Sequence, residues 1–490
     1  MYFHNPLRAF VLAASICLAS SALAGPVYQP PGANLTFGDV THGQRIQSAS
    51  TNPAAAAADL ARSRESHKRG VVTSISAGLE YGNIDELWDF YNEITKGYDP
   101  GTGGGPGPGQ NPGDKPPGGI DLGEIWDNLN PDVQDAIRAI SDEIARQVAI
   151  GALIGAEGYG KAWVALDLPF VAGTEHFGGA WTFSLNQSGS TKAFGVVDQI
   201  EFDADAAREA LNDWLAQLPG NRPIQLPVSS DLQLYHDPVT NGFGLGIAND
   251  SSIIAKATRT TDLSAGYSRL AGSFESGDLF LGVRGHTYYK ELGRVSVRFG
   301  DITNSEELFD QIRDGDFRSD TRFGLDVGAL WVSNRYQLGI QVTNLNEPKF
   351  KFPSIDLNPY SSEQIIAFLE RDRTYKMDLQ VKLEASYFGS DRRWSAHLGV
   401  DADPATDPLG DEFQWLTLSA GFLADARWVQ DIRFGYRENL AGTGLKYVGA
   451  GLTAFRFLNF DVSSGLETVR IDGQNLPRGL MISLGFQVSW

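Results

Sequence analysis

From residue 374 to residue 490 the sequence alternates apolar and polar residues in one short segment after another. Tyr375, Met377, Leu379, Val381, Leu383, Ala385 and Tyr387 are separated by Thr374, Lys376, Asp378, Gln380, Lys382, Glu384 and Ser386. The same period runs through Trp394, Ala396, Leu398, Val400 and Ala402, then through Leu416, Leu418, Ala420 and Phe422. It continues through Trp428, Ile432, Phe434 and Tyr436, through 445–457, and through Leu458, Phe460, Val462 and Leu466. Ile482, Leu484, Phe486, Val488 and Trp490 carry it to the end. Successive side chains of a strand point to opposite faces, so a period of two means a strand with one apolar and one polar face. Each segment has the roughly 9–11 residues that a tilted strand needs to cross a bilayer, or slightly more.

A soluble β-sandwich would share that period. Two features point instead to a transmembrane antiparallel β-barrel. The polar face carries full charges on every strand: Lys376, Asp378, Lys382, Glu384, Arg393, Asp401, Asp431, Arg433, Asp461 and Glu467. The apolar face ends in the aromatics Trp394, Trp415, Trp428, Tyr436, Tyr447, Phe455, Phe457 and Trp490, which reads as an interfacial girdle. Connection lengths add an independent test. The segments 389–392, 425–427 and the turn near 458 are short, whereas 403–413, 438–444 and 471–480 are longer, and the two kinds alternate. Short periplasmic turns and longer outer loops produce that alternation in membrane barrels, and a sandwich has no reason to follow it. The rule extends back to the short Ser333–Arg335 turn, between strands at 322–332 and 336–344, and to a long 345–373 loop. Segments 71–81, 158–172, 178–188, 192–202, 230–269, 279–289 and 294–299 supply the remaining strands. The expected all-β barrel has roughly 14 strands, an even number as single-chain barrels require. Mixed signs on its inner face suit a salt-bridged, partly filled lumen better than an ion-selective ring.

Residues 1–24 read as a secretory signal peptide: Arg8, an apolar stretch Ala9–Ala19, and Ala22-Leu23-Ala24 before Gly25. A lipoprotein signal acylated at Cys17 is the rival reading, disfavoured because Ile16 precedes the cysteine where a small residue is needed. Residues 25–69 have no clear period and are expected to form a plug-like N-terminal segment, with a short helix after Asn52-Pro53. The barrel then spans 70–490, with an insertion at 84–150. That insertion holds a helical pattern at 84–94, a Gly/Pro-rich stretch at 97–119 and an amphipathic pattern at 122–149. A further amphipathic helix is expected over Ala204–Leu218.

Composition excludes several functions. The net charge of -20 is the wrong sign for a nucleic-acid surface, so no nucleic-acid partner is expected. Cys17 is the only cysteine, which rules out an internal disulfide or a cysteine metal site. No phosphate-binding loop, zinc-protease or nucleophile-elbow motif occurs, so neither enzymatic activity nor a cofactor is expected. No His pairs at helical spacing with another His. His286 and His397 fall on polar strand faces, where lumen hydrogen bonding is the expected role. Asp401, Asp403, Asp407, Asp411 and Glu412 crowd one loop; the expectation is a solvated loop tip, with hard-cation binding as the alternative.

Two short motifs suggest relatives. The alternating, aromatic-ended Phe486-Gln-Val-Ser-Trp490 resembles the signal by which outer-membrane barrels are recognised for insertion. That resemblance makes Ile482, Leu484, Phe486, Val488 and Trp490 the insertion-signal residues, with outer-membrane lipid and the barrel assembly machinery as partners. Asn52-Pro53-Ala-Ala-Ala56 resembles the N-terminal region of FadL-like barrels. Gly78-Leu-Glu-Tyr-Gly-Asn-Ile-Asp-Glu-Leu87 and Val342-Thr-Asn-Leu-Asn-Glu-Pro-Lys-Phe350 are similar to the TraF-type branch, named from a conjugal transfer operon. The resemblance implies a non-enzymatic protein of the bacterial outer membrane, accessory to conjugative transfer and contacting conjugation apparatus proteins. The alternative it implies is a FadL-like channel for uptake of hydrophobic small molecules.

Overall fold

The computed structural model describes residues 30–42, 46–62, 69–82, 159–174, 178–198, 250–298, 301, 315–424, 426, 428–471 and 474–490, with the backbone of 224–227, 232–237 and 242–247. The signal-peptide reading, the 84–150 insertion and the 204–218 helix fall outside these residues.

Fourteen antiparallel strands close into one barrel. They are β1 (Arg69–Tyr81), β2 (Tyr159–Thr174), β3 (Gly179–Val196), β4 (Ser252–Phe274), β5 (Gly277–Arg298), β6 (Phe317–Val332) and β7 (Tyr336–Thr343). The second half is β8 (Gln380–Phe388), β9 (Trp394–Asp401), β10 (Trp415–Leu423), β11 (Val429–Asn439), β12 (Lys446–Ala454), β13 (Leu458–Gly465) and β14 (Gly479–Ser489). Each strand pairs with its neighbours in sequence, and β14 returns to β1 in continuous register from Gly70↔Ser489 to Glu80↔Gly479. The Arg69 and Trp490 backbones exchange hydrogen bonds of 3.1 and 2.9 Å. Closure leaves no edge, the condition for sheet backbone to sit in hydrocarbon.

The connection rule holds all round. The strand ends joined by the short connections 175–178, 275–276, 333–335, 389–393, 424–428 and 455–457 lie at one end, together with the start of β1 and the end of β14. The strand ends joined by the longer connections lie at the other. The exterior is apolar: on β11, Phe434 is 63% exposed while its neighbour Arg433, on the opposite face, is 0% exposed. Ile482, Leu484, Phe486 and Val488 of β14, and Trp490 just beyond it, all face outward. At the short-turn end the aromatics join into a belt. Tyr336 packs on Tyr387 at 5.1 Å and Tyr387 on Trp394 at 5.1 Å. Trp428, Phe455, Phe457 and Phe486 continue it on the far side.

Several expectations are corrected. Trp415 and Tyr447 are buried inside the barrel, where they meet Leu35, Trp163, Leu445 and Met481. Trp415 is out of phase with Leu416 and Leu418, so if those face lipid it must face inward. The alternation over 375–387 is two elements rather than one strand. Thr374–Lys376 pairs with Lys349–Lys351 in a separate two-stranded sheet, and the barrel strand begins only at Gln380. Tyr375 and Met377 therefore pack in a cluster with Tyr288, Leu292, Phe350 and Phe352 rather than facing lipid. Lys376 lies outside the lumen, bonded to Glu347 at 2.9 Å and Asp378 at 3.0 Å. Arg393 and Glu467 lie in connections rather than in strands. Segments 279–289 and 294–299 are one strand, β5, and 178–188 and 192–202 belong largely to one strand, β3. Within 230–269 only β4 enters the barrel; Leu232–Asp237 is the middle strand of a separate sheet, paired with Ile224–Pro227 on one side and Gly242–Ile247 on the other.

Candidate functional site: the filled lumen and its rim

The N-terminal segment lies inside the barrel. Its two helices are α1 (Asn34–Phe37) and α2 (Ala55–Arg62). The Asn52 side chain accepts from the Ala54 N–H at 2.9 Å, which starts α2 just beyond Pro53. Ala54 to Ala58 pack against Val171, Ala180, Phe280 and Leu330 of the wall. Small side chains let backbone approach backbone. A Cβ at Gly282 would meet the Pro53 carbonyl, and one at Gly435 would meet the Thr36 carbonyl, so larger residues at either place would expel the segment.

Charged lumen residues hold this segment by direct hydrogen bonds. Glu384 accepts from the Thr41 N–H at 2.5 Å, the Thr41 hydroxyl at 2.8 Å and the Asn52 amide at 3.0 Å. Asp461 accepts from the Thr36 hydroxyl at 2.6 Å. The Arg284 guanidinium donates to the Ser50 carbonyl at 2.8 Å and to the Ala49 carbonyl. Lys382 donates to Asp39 at 2.5 Å. Burial works to raise the Asp39 pKa, but Lys382, with Arg437 and Arg284 farther off, holds it below the usual carboxylate range. A segment without hydrophobic periodicity is thus fixed by polar contacts that the strand pattern does not reveal.

The wall also balances its own charges within strands and across nearby ones. Arg433 on β11 bonds Asp431 at 2.6 Å and takes both oxygens of Asp461 on β13, at 2.8 and 2.7 Å. His286 on β5 lies between Asp262 on β4 and Asp326 on β6, 3.0 Å from each. His397 bonds Ser386 at 2.8 Å and Ser395 at 2.9 Å. Both histidines are hydrogen-bonded lumen groups, as their strand faces suggest.

At the rim bearing the long connections the arrangement changes. Lys161 on β2 pairs in register with Lys192 on β3, Lys192 with Lys256 on β4, and Lys256 with Arg294 on β5. Four cations stand side by side on adjacent strands, an arrangement that like-charge repulsion disfavours. Two loops supply carboxylates that bond them directly. Lys161 bonds Asp407 at 2.6 Å and Asp411 at 2.9 Å, and Lys192 bonds Asp411 as well. Lys256 bonds Asp372 at 2.6 Å, and Arg294 lies 3.9 Å from the same carboxylate. The expectation of a solvated acidic loop tip is therefore wrong for Asp407 and Asp411, which are turned into the barrel mouth.

Local sequence explains how the loops present these groups. Ala405–Thr406 pairs with Glu412–Phe413 as a small hairpin across loop 402–414. At its tip the Asp407 carboxylate accepts from the Leu409 and Asp411 N–H groups, both at 2.9 Å, the side-chain-to-backbone turn that Asp favours. One Asp407 oxygen thus shapes the turn and the other meets Lys161. In loop 344–379, α3 (Glu363–Arg371) is capped by the Ser362 side chain. Its buried Ile365 and Leu369 pack against Ile254 of β4, which brings Asp372 beside Lys256. Burial works to raise the Asp411 pKa, yet Lys161 and Lys192 hold it well below the usual carboxylate range. Among the described residues no group of three His, Cys, Asp or Glu side chains is placed to hold a metal ion.

The family model described as "F plasmid transfer operon, TraF, protein" matches residues 49–403. Solved structures similar to the chain include a FadL homologue of Pseudomonas aeruginosa, at 12% identity and a TM-score of 0.40, covering 95% of this chain and 99% of that one. They also include the toluene transporter TodX of Pseudomonas putida, at 10% identity and a TM-score of 0.40, covering 96% of this chain and 99% of that one. No curated protein sequence matches the chain.

Proposed function

The chain belongs to the F plasmid transfer operon TraF protein family, and from that membership we propose that it is a non-enzymatic accessory of conjugative transfer, seated in the bacterial outer membrane. The observation that carries this reading is the family match over residues 49–403 on a closed barrel with an apolar exterior. Its partners are outer-membrane lipid along the outward strand faces, the barrel assembly machinery and proteins of the conjugation apparatus. Ile482, Leu484, Phe486, Val488 and Trp490 act as the insertion signal. The lumen occupied by residues 30–42 and 46–62 supports an accessory role over that of an open pore.

The test is deletion of the gene from a donor strain, with mating frequency measured beside complementation by the intact gene. A complementable fall supports the role. An unchanged frequency, in a donor whose transfer depends on the operon, contradicts it. A second reading, passage of hydrophobic small molecules, is favoured by the apolar lumen cluster of Leu35, Trp163, Trp415, Leu445, Tyr447 and Met481. Uptake of an apolar tracer into cells with and without the gene separates the two.

A further inference from the structure

We propose that the cation row Lys161, Lys192, Lys256 and Arg294 is a binding site for a small dicarboxylate, occupied at rest by the chain's own Asp407, Asp411 and Asp372. Like charges directly opposite one another on adjacent strands are destabilising, and closing a barrel does not require them. Two other buried cationic side chains in the lumen follow a different rule. Arg433 is satisfied by Asp431 and Asp461, and His286 by Asp262 and Asp326, all from wall strands. The carboxylates bonded to Lys161, Lys192 and Lys256 come instead from loops 402–414 and 344–379, which can lift without breaking the barrel's hydrogen-bond ladder. The wall-strand carboxylate next to the row, Glu80 on β1 opposite Lys161, accepts from the hydroxyls of Tyr159 and Tyr447.

The occupant's chemistry follows from what sits there now. Two carboxylates four residues apart in the hairpin, Asp407 and Asp411, share Lys161, and Asp411 also meets Lys192. The row spans about 14 Å, three strand spacings of roughly 4.8 Å. Aromatic rings lie against it: the Lys192 ammonium is 4.9 Å from the Tyr159 ring centre and 5.1 Å from that of Phe194, and Lys256 is 5.3 Å from Phe352. These faces favour the charged ammonium groups when the loop carboxylates leave. A dicarboxylate that bridges Lys161 and Lys192 reproduces the contacts of the hairpin tip and frees the loop. Release of the hairpin then reports ligand at the rim to whatever the loop contacts outside.

The experiment uses the full-length protein in detergent micelles, with succinate as probe and isothermal titration calorimetry as readout. A chain carrying Asp407→Asn and Asp411→Asn should bind succinate at least tenfold more tightly than the unaltered protein. Adding Lys161→Gln and Lys192→Gln should abolish that binding. Inorganic phosphate at equal ionic strength should bind at least tenfold more weakly; equal binding overturns the assignment to carboxylates. A heat-modifiable, folded Asp407→Asn, Asp411→Asn chain that binds succinate no better than the unaltered protein overturns the site altogether. If that variant does not fold, Leu409→Cys keeps the proposal testable, because Leu409 is buried at the hairpin tip. Succinate should accelerate maleimide labelling of Cys at 409 several-fold over sodium chloride of the same ionic strength; no acceleration overturns the proposal. The proposal goes beyond the transfer role, and mating frequency has no bearing on the binding result.

Discussion

Replacing Arg433 by Met should be among the most damaging single changes in the lumen. The guanidinium is completely buried and donates to Asp431, to both oxygens of Asp461, to the Thr453 hydroxyl at 2.8 Å and to the Leu452 carbonyl at 3.0 Å. Met fills much of the space but donates nothing. Asp461 then keeps the Thr36 hydroxyl and loses the Arg433 guanidinium, while Asp431 keeps the Thr453 hydroxyl at 3.2 Å. Breaking a buried pair by removing one partner costs about 3–5 kcal/mol, because the remaining charge stays desolvated. The expected loss for Arg433→Met is about 3–5 kcal/mol, measured by urea unfolding of the barrel in lipid vesicles and followed by tryptophan fluorescence. Adding Asp431→Asn and Asp461→Asn removes the stranded charges and should recover most of that loss. A single change that costs less than about 1 kcal/mol, or a triple variant no more stable than the single one, refutes the reasoning, since either would mean the pair is not desolvated as the geometry requires.

Three further outcomes follow from the same structure. Phe434→Arg puts a charge on the outer face near the middle of β11 and should cost about 2–4 kcal/mol in vesicles, whereas Ser395→Arg at the short-turn end of β9 should cost far less. Deleting residues 486–490 removes the last four residues of β14, including the pairs Thr73↔Phe486 and Val71↔Val488, and should block outer-membrane assembly; an equal deletion inside 403–413 should still assemble, as a heat-modifiability gel will show. The Asp411 carboxylate is held below its unfolded value near about 3.9, so the hairpin latch is fully present above that pH and is lost as pH falls through the depressed folded value. Its charged neighbours are Lys161, Lys192, Asp407 and Glu80. Maleimide labelling of Leu409→Cys in acid-pulsed samples should therefore stay slow after a pulse at pH 4 and rise only after stronger acid. Acceleration already at pH 5 contradicts the latch.

Most of the second half of the barrel is legible because each strand there has lipid on one side and polar lumen on the other, so the period of two survives in 394–401, 415–423, 431–437 and 479–489. The reading failed where that environment changes along a strand. β5 runs from Gly277 to Arg298, well beyond the bilayer's thickness, and its alternation weakens at Glu291-Leu292-Gly293, so its sequence reads as two pieces. At Met377-Asp378 the opposite happened: the chain leaves one sheet and enters another without losing phase, so a break passed as a continuous strand. The cation row left no local trace. Lys161, Lys192, Lys256 and Arg294 meet only through register across four strands, which no linear spacing encodes. The seat of the N-terminal segment had one readable signal, glycines on the polar face such as Gly282 and Gly435, where a wall with an empty lumen would have no need of close approach.

The central claim, a barrel whose apolar face meets lipid, is tested most directly by nitroxide labels on single cysteines. The outward positions are 416, 418, 432, 434, 448 and 450, and positions 417, 419, 437, 447 and 449 face inward. In vesicles the outward labels should collide freely with oxygen dissolved in the lipid and be shielded from a water-soluble nickel chelate, with accessibility alternating at a period of two. Outward labels that relax with the nickel chelate, or accessibility with no alternation across β10 to β12, would contradict a lipid-facing barrel and return the sheet to a water-soluble fold.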